Sequence, residues 1–143
     1  MWTQTFTKKV KGLSADQIWQ VWTDVDQWNQ WQDDVEFSKM QTEFKTGGKF
    51  AFHPKGGPKL TLELTEVEDK KNFVDLTRFP FAKMYDSHEI VERGGEIELK
   101  CTLVIKGPLS FLWKKIVAEE VARGIPKQLD ALIQRTQKLY KQN

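Results

Sequence analysis

The side chains best suited to acid–base chemistry in this sequence are two aspartates and a histidine, Asp75, Asp86 and His88. A histidine whose pKa is near neutral can remove a proton beside a substrate ketone, and a neighbouring carboxylate can orient its ring. In an enzyme, these three residues would be the catalytic candidates. Because they are separated along the chain, the strands that carry them must bring them together.

The Gly94-Gly95 pair predicts how two of these strands align. As a two-residue hairpin, the favoured short turn, it places Arg93 opposite Glu96. Directly opposed residues share a face, and the residues that follow the turn form the inward apolar set of their strand. The residues opposite them must therefore face inward too. The predicted pairs are Ile90 with Leu99, His88 with Cys101, Asp86 with Leu103, and Met84 with Ile105.

A turn at Glu68 to Lys71 extends the same argument to the preceding pair of strands. It places Phe73 opposite Glu66, Asp75 opposite Leu64 and Thr77 opposite Leu62. Asp75 and Thr77 then join the concave face. A change of one residue in either loop would reverse every assignment on that strand.

The inward carboxylates and histidine also allow a purely structural interpretation. An unpaired buried charge is costly, so each group must shift its pKa, find a partner or meet a polar ligand. Asp86 and His88 can pair with each other, or with Arg78, at a water-filled pocket mouth. The sequence leaves this alternative open beside the functional one.

The chain has only one cysteine and two histidines, which limits nucleophilic and metal-binding chemistry. Cys101 lies in a run of strand core residues and is expected to be an inert small hydrophobe rather than a nucleophile. A lone cysteine excludes an intramolecular disulfide and a cysteine-based zinc site. His53, beside Pro54 in a loop rich in glycine and proline, is expected to be solvated. We therefore expect no metal site and no cofactor.

The length and net charge of the chain exclude several classes of protein. The 143 residues predict a single domain, 1–143, and 22 basic against 20 acidic residues give a net charge of +2, which argues against nucleic acid as a partner. No apolar run approaches the roughly 18 to 20 residues that span a bilayer. The first eleven residues lack the order of a secretory signal. With the lone cysteine, these features predict a cytoplasmic location.

The periodicity of apolar residues switches twice along the chain. Residues 1–11 are rich in β-formers, and a capping-box pattern at Ser14 and Gln17 then begins a short helix. Asp24 and Asp26 are candidate caps for a second short helix. From about Asp34 to Lys106, alternation with short turns predicts six more strands.

After Gly107-Pro108 the apolar period returns to that of a helix, which predicts one long amphipathic helix to the C-terminus. Gly124 and Pro126 should bend it, because proline lacks a backbone donor and clashes one turn back. One helix cannot cover both faces of seven strands. The economical packing is an α+β fold in which a curved antiparallel sheet wraps round the long helix.

This order of elements, with Leu13 to Trp19, Asp24 to Trp31, Gly107 to Leu109, and Gly124 to Leu132, resembles the START-type helix-grip superfamily (SRPBCC). Within that superfamily, the chain is most similar to the polyketide cyclase/dehydrase-like group. The resemblance covers nearly the whole chain and implies a deep, mostly apolar cavity between the long helix and the concave sheet face. It supplies no catalytic motif to transfer residue by residue.

The expected cavity wall combines the inward strand residues with the first half of the long helix. The loops around Pro54 to Pro58 and Phe79 to Phe81 are expected to frame its mouth. The candidates are Phe50, Phe52, Leu62, Leu64, Asp75, Thr77, Met84, Asp86, His88, Leu99, Cys101, Leu103, Trp113, Ile116, Val117 and Glu120.

Three functions are compatible with this fold. The first is binding, transport or sensing of a small hydrophobic or amphipathic molecule, such as a lipid or polyketide-like compound. The second is a cyclase, dehydratase or isomerase that uses the inward histidine and aspartates, with a substrate ketone as the target. The third is a co-chaperone-like interaction module. A weak contact of the basic last helix with a membrane surface stays open, as does the choice between monomer and homodimer, for which outward Val74 and Leu76 are a candidate contact.

Overall fold

The computed structural model describes residues 1–140 and contains a curved, seven-stranded antiparallel sheet with the strand order β1-β7-β6-β5-β4-β3-β2. A long C-terminal helical segment packs on its concave face, as the sequence predicts. The end of the predicted helix, residues 141–143, lies outside the described residues. The strands are β1 Trp2–Val10, β2 Val35–Met40, β3 Lys49–Pro54, β4 Leu60–Glu68, β5 Asn72–Phe79, β6 Ala82–Arg93 and β7 Glu96–Lys106.

Two short helices connect β1 to β2. Helix α1, Ala15–Trp22, begins at the predicted capping box, in which the Gln17 amide donates to Ser14 Oγ and the Ser14 amide donates to Gln17 Oε1, both at 3.1 Å. A 3₁₀ helix, Val25–Gln30, follows. The expected capping of this helix by Asp24 is wrong, since Asp24 makes no side-chain cap bond. Asp26 instead accepts a hydrogen bond from the Met40 amide of β2.

The C-terminal helical segment has three parts: α2, Ser110–Trp113, a π-helical turn, Lys114–Ala118, and α3, Glu119–Tyr140. Helix α3 runs unbroken through Gly124 and Pro126, where the sequence predicts a bend. The π turn lies two turns earlier. A π turn accommodates an extra residue and changes which side chains point at the sheet.

The predicted alignment of β6 with β7 is confirmed, with His88 opposite Cys101 and Asp86 opposite Leu103. Asp75 also lies opposite Leu64, as predicted. The predicted Phe73–Glu66 pair is wrong: a bulge between Leu64 and Glu66 shifts the register, and Phe73 faces Val67. An extra residue on one strand of a pair cannot be seen in the spacing of apolar residues alone.

Two further expectations about exposure need correction. Leu76 is only 3% exposed and lies between its cross-strand neighbours Glu63 and Tyr85, so it is not half of an exposed aliphatic pair. His53 lies within β3, opposite Phe37, rather than in a loop.

The start of the C-terminal segment depends on a close backbone contact at Gly107. This glycine has φ +123°, and a Cβ there would lie 2.6 Å from the Phe81 carbonyl oxygen and 2.9 Å from Ala82 Cα. The Leu109 amide also donates to the Phe81 carbonyl oxygen. The turn between β5 and β6 and the start of α2 therefore require glycine at this position.

We expect Gly107→Ala to lower the free energy of unfolding by about 3 kcal/mol, because it adds both backbone strain and a backbone clash. Gly94→Ala is the matched control: Gly94 also has positive φ, at +55°, but a Cβ there meets nothing within 4 Å. Its cost should be about 1 kcal/mol. Urea unfolding measures both, and equal losses would refute the importance of the close contact.

Candidate functional site

A cavity of about 400 Å³ lies between the C-terminal segment and the concave face of the sheet. Most of its wall is apolar, and its exposed rim includes Lys55, Gly56 and Ile116. The ionisable residues Asp75, Asp86 and His88 line its buried inner part. This volume falls within the range of sites for small molecules.

Ten of the sixteen residues expected on the wall line this cavity. They are Phe52, Leu62, Asp75, Thr77, Met84, Asp86, His88, Ile116, Val117 and Glu120.

The other six are corrections. Phe50, Leu64, Leu99, Cys101 and Leu103 are each 0% exposed and belong to the hydrophobic core instead of the cavity wall. Alternation identifies the inward face of a strand, but it does not show where along that face a helix packs directly. Trp113 stacks on Phe79 at 4.6 Å and donates its indole N–H to the Pro80 carbonyl oxygen, which anchors α2 to the turn between β5 and β6.

Sequence reasoning also missed part of the wall. On the C-terminal segment, Val121, Gly124 and Gln128 continue the face that begins at Val117, and their spacing at i+4, i+7 and i+11 could have identified them. Gln128 donates to the buried Gln32 side chain at 2.7 Å. The remaining members that were not expected on the wall are Trp22, Trp28, Gln32, Asp34, Val35, Leu60 and Ile125. Of the two loops expected at the mouth, Pro54–Pro58 lines the cavity, whereas Phe79–Phe81 does not.

The inner part of the cavity holds a compact polar cluster, which we call the acidic–histidine cluster: Asp75 on β5, and Asp86 and His88 on β6. Asp75 and Asp86 are directly opposed across the two strands. His88 Nε2 lies 3.6 Å from Asp86 Oδ1 and 4.0 Å from Asp75 Oδ2. The pairing of two strands thus brings together three residues that are separated in sequence.

The His88 ring is held in one orientation. It stacks on Phe73 with 4.1 Å between ring centroids, and the edge-to-face contact with Trp22 spans 5.3 Å. Its Nδ1 lies 3.2 Å from the Phe73 carbonyl oxygen. A carbonyl oxygen can only accept, so Nδ1 carries the proton. In the neutral ring, Nε2 therefore presents a lone pair to the two carboxyl groups.

Burial shapes the charge state of the cluster. Burial raises the pKa of Asp75 well above its usual range, and the nearby Asp86 raises it further. Burial also raises the pKa of Asp86, while His88 opposes that rise. Asp86 Oδ1 is buried without a hydrogen-bond partner. The cluster can hold and exchange protons, or accept a donor or cation that enters the cavity.

Cys101 does not join this chemistry as a nucleophile. Burial, followed by the charges of Asp86 and Asp75, raises the pKa of its thiol well above the usual range. A thiol in such surroundings stays protonated and unreactive. This agrees with the inert role expected from the sequence.

Fold and cavity define a helix-grip protein with an internal pocket. The family model described as "Polyketide cyclase / dehydrase and lipid transport" matches residues 1–139, and the chain belongs to this family. This membership and the START-like fold support a ligand-binding or cyclase-like role. No curated protein sequence matches the chain. No helix within residues 1–140 combines the length and apolar character needed to cross a membrane.

Solved structures share the fold at low sequence identity. An aromatase/cyclase from Streptomyces sp. R1128 has a TM-score of 0.76 at 14% identity, covering 96% of this chain and 94% of that one. A START superfamily protein from Mycobacterium smegmatis has a TM-score of 0.70 at 18% identity, covering 96% and 98%. A hypothetical protein from Helicobacter pylori has a TM-score of 0.76 at 16% identity, covering 94% and 87%.

We expect Asp75→Asn to stabilise the protein at neutral and alkaline pH in buffer that contains EDTA. The folded state holds the Asp75 proton more tightly than the unfolded chain does, so the wild type loses stability as pH rises through the folded-state pKa. The gain should be on the order of 1 to 3 kcal/mol at pH 8, the usual cost of an unsatisfied buried polar group.

The gain should shrink toward zero at acidic pH, where Asp75 is protonated in the wild type as well. Urea unfolding of both proteins between about pH 3 and 8 measures this, because the difference begins to grow at the pKa of the unfolded aspartate, about 3.9. Asp130→Asn is the control, since Asp130 is exposed and paired with Lys8. A difference that does not change with pH would contradict the assigned charge state.

Proposed function

We propose that the protein binds a small amphipathic molecule, mostly apolar with one hydrogen-bond donor, in the internal cavity. The observation that carries this proposal is an apolar pocket with a cluster of hydrogen-bond acceptors at its inner end. Leu62, Met84 and Val117 supply apolar wall, and the acidic–histidine cluster supplies the acceptors.

The lone buried Cys101 fits a reducing, cytoplasmic setting.

The acceptors favour a particular orientation of the ligand. When the carboxyl groups are ionised and the imidazole is neutral, their oxygens and Nε2 accept hydrogen bonds, and in that state they favour a hydroxyl, enol or amine over a carbonyl. Transfer of such a polar group out of water is costly unless it finds a partner, and the cluster offers such partners at the inner end of the cavity. The ligand would therefore enter polar end first, with its apolar part along the helix.

The mouth is suited to reversible entry. Ile116 lines the cavity but is 57% exposed, and it lies on the π turn. On the opposite side, the loop Pro54–Pro58 contributes Gly56 and Gly57, which add no side-chain bulk. A small change at either edge would widen the opening without disturbing the sheet.

The second candidate function is a cyclase, dehydratase or isomerase, favoured by the position of His88 Nε2 in the cavity beside two carboxyl groups. With Nδ1–H held by the Phe73 carbonyl, Nε2 can take a proton from a ligand carbon beside a ketone. A protonated carboxyl group of Asp75 or Asp86 could then donate a proton to a leaving hydroxyl. This role needs the same cavity and differs in whether the bound molecule leaves unchanged.

Native mass spectrometry of freshly expressed protein, compared with the denatured mass of the same sample, tests ligand binding directly. We expect a non-covalent adduct of a few hundred daltons, the size of ligand that such a cavity takes. Protein that is consistently free of adduct and takes up no amphipathic probe would contradict the proposal.

Filling the cavity gives a matched pair of variants. We expect Val117→Phe to weaken binding of N-phenyl-1-naphthylamine, a neutral apolar probe with one N–H donor, by at least about tenfold, because the larger ring occupies the pocket. Val104→Phe introduces the same change on the outer face of β7 and should bind like wild type. Equal probe affinity in both variants would place binding outside the cavity.

The carrier and enzyme roles separate once the adduct is identified. The released molecule is incubated with wild-type protein and with Asp86→Asn, and its mass and chromatographic retention are followed. For a carrier, we expect no change with either protein. Loss of water or isomerisation with wild type, reduced at least about tenfold in the variant, would establish the enzyme.

A further inference from the structure

The acidic–histidine cluster has a property that ligand binding does not require. One ligand atom each from Asp75, Asp86 and His88 lies within 4.8 Å of the other two, and all three atoms are acceptors when the aspartates are ionised and the imidazole is neutral. We propose that this cluster binds a divalent transition-metal ion at the inner end of the cavity through His88 Nε2 and one oxygen from each aspartate.

The spacing suits a metal ion after small side-chain adjustments. Bonds of about 2.1 Å at tetrahedral angles hold ligand atoms roughly 3.4 Å apart. The separations from Nε2 are 3.6 Å to Asp86 Oδ1 and 4.0 Å to Asp75 Oδ2. Rotation of two carboxyl groups is enough to close this difference, because both strands already direct the groups at one point.

The histidine is prepared for metal binding by its other nitrogen. Metal-bound histidines nearly always donate their second ring N–H to a carbonyl or carboxylate, which fixes the tautomer and the ring orientation. His88 makes this bond to the Phe73 carbonyl oxygen, and the Phe73 and Trp22 rings hold its plane.

Charge balance supports a divalent ion. Asp75 is only 5% exposed, and its Oδ2 lies 4.0 Å from His88 Nε2. Asp86 Oδ1 also lacks a hydrogen-bond partner. Two ionised carboxylates carry two negative charges, which one divalent cation neutralises at a single point. Two carboxylate ligands and one imidazole form a donor set that suits Zn²⁺, Co²⁺ or Mn²⁺.

Three protein ligands leave coordination positions that open into the cavity. A metal site with this arrangement can bind water or an oxygen atom of a molecule in the pocket. The expectation of no metal came from counting histidines and cysteines, although the predicted strand pairing already brought Asp75, Asp86 and His88 to one face of the sheet. The metal would use the same three side chains that the proposed function assigns to the ligand's hydrogen-bond donor, so metal binding is measured on protein without added ligand.

The test uses full-length protein treated with EDTA and then dialysed free of it. Isothermal titration with Co²⁺ and Zn²⁺ should show one site per chain, and bound Co²⁺ should give a visible absorption spectrum with nitrogen and oxygen ligands. We expect Asp75→Asn and Asp86→Asn to weaken binding at least about thirtyfold, with the Co²⁺ spectrum lost.

Two matched controls should bind metal like wild type. Glu89→Gln changes the acidic residue that follows His88 on β6 but lies opposite Lys100 on the other face of the sheet. His53→Gln removes the second histidine of the chain. Binding that survives Asp75→Asn and Asp86→Asn, or that is lost in either control, would overturn the proposal.

Thermal unfolding provides a second readout that does not depend on affinity alone. Without metal, Asp75→Asn should melt above wild type at pH 8. With saturating Zn²⁺, the melting temperature of the wild type should rise by several degrees while that of the variant stays unchanged. The wild type should then melt at or above the temperature of the variant. Absence of any metal-induced shift in a folded wild type would overturn the site, whereas adduct mass spectrometry in EDTA tests the cavity ligand separately.

Discussion

The direct opposition of Asp75 and Asp86 across β5 and β6 is the constraint on which the site depends. The two carboxyl groups lie side by side in the inner part of the cavity, two residue pairs along the strands from His88, whose Nδ1 donates to the Phe73 carbonyl oxygen. Each group alone would be an ordinary polar residue at a pocket edge. Together they form a cluster of hydrogen-bond acceptors, which needs protons, a hydrogen-bond donor or a cation as its partner.

The acidic–histidine cluster lies in apolar surroundings. Phe73 and Trp22 restrict the His88 ring, while the C-terminal segment covers the concave face and keeps bulk water from the inner part of the cavity. The same low-polarity surroundings raise the pKa values of both aspartates. The proposed function therefore opposes stability here, because removing the Asp75 charge is expected to stabilise the fold.

The C-terminal segment contributes position as well as cover. The Gly107 contact and the Trp113 anchor hold its start against the turn between β5 and β6, and the π turn then directs Ile116 and Val117 to the cavity. From α3, Gly124 and Gln128 complete the wall. The pocket is thus bounded by a rigid sheet on one side and by an irregular helical turn on the other, which suits entry and release of a molecule.

The sequence by itself determined the order of elements, the capping box at Ser14 and the alignment of β6 with β7, because these depend on local periodicity and on one two-residue turn. It also placed His88 and the two aspartates on the inner face. The tertiary structure decided the bulge in β4, the π turn and which inward residues border empty space. Those outcomes depend on how helix and sheet pack over long distances, where residues such as Leu99 and Met84 have the same local pattern but different neighbours.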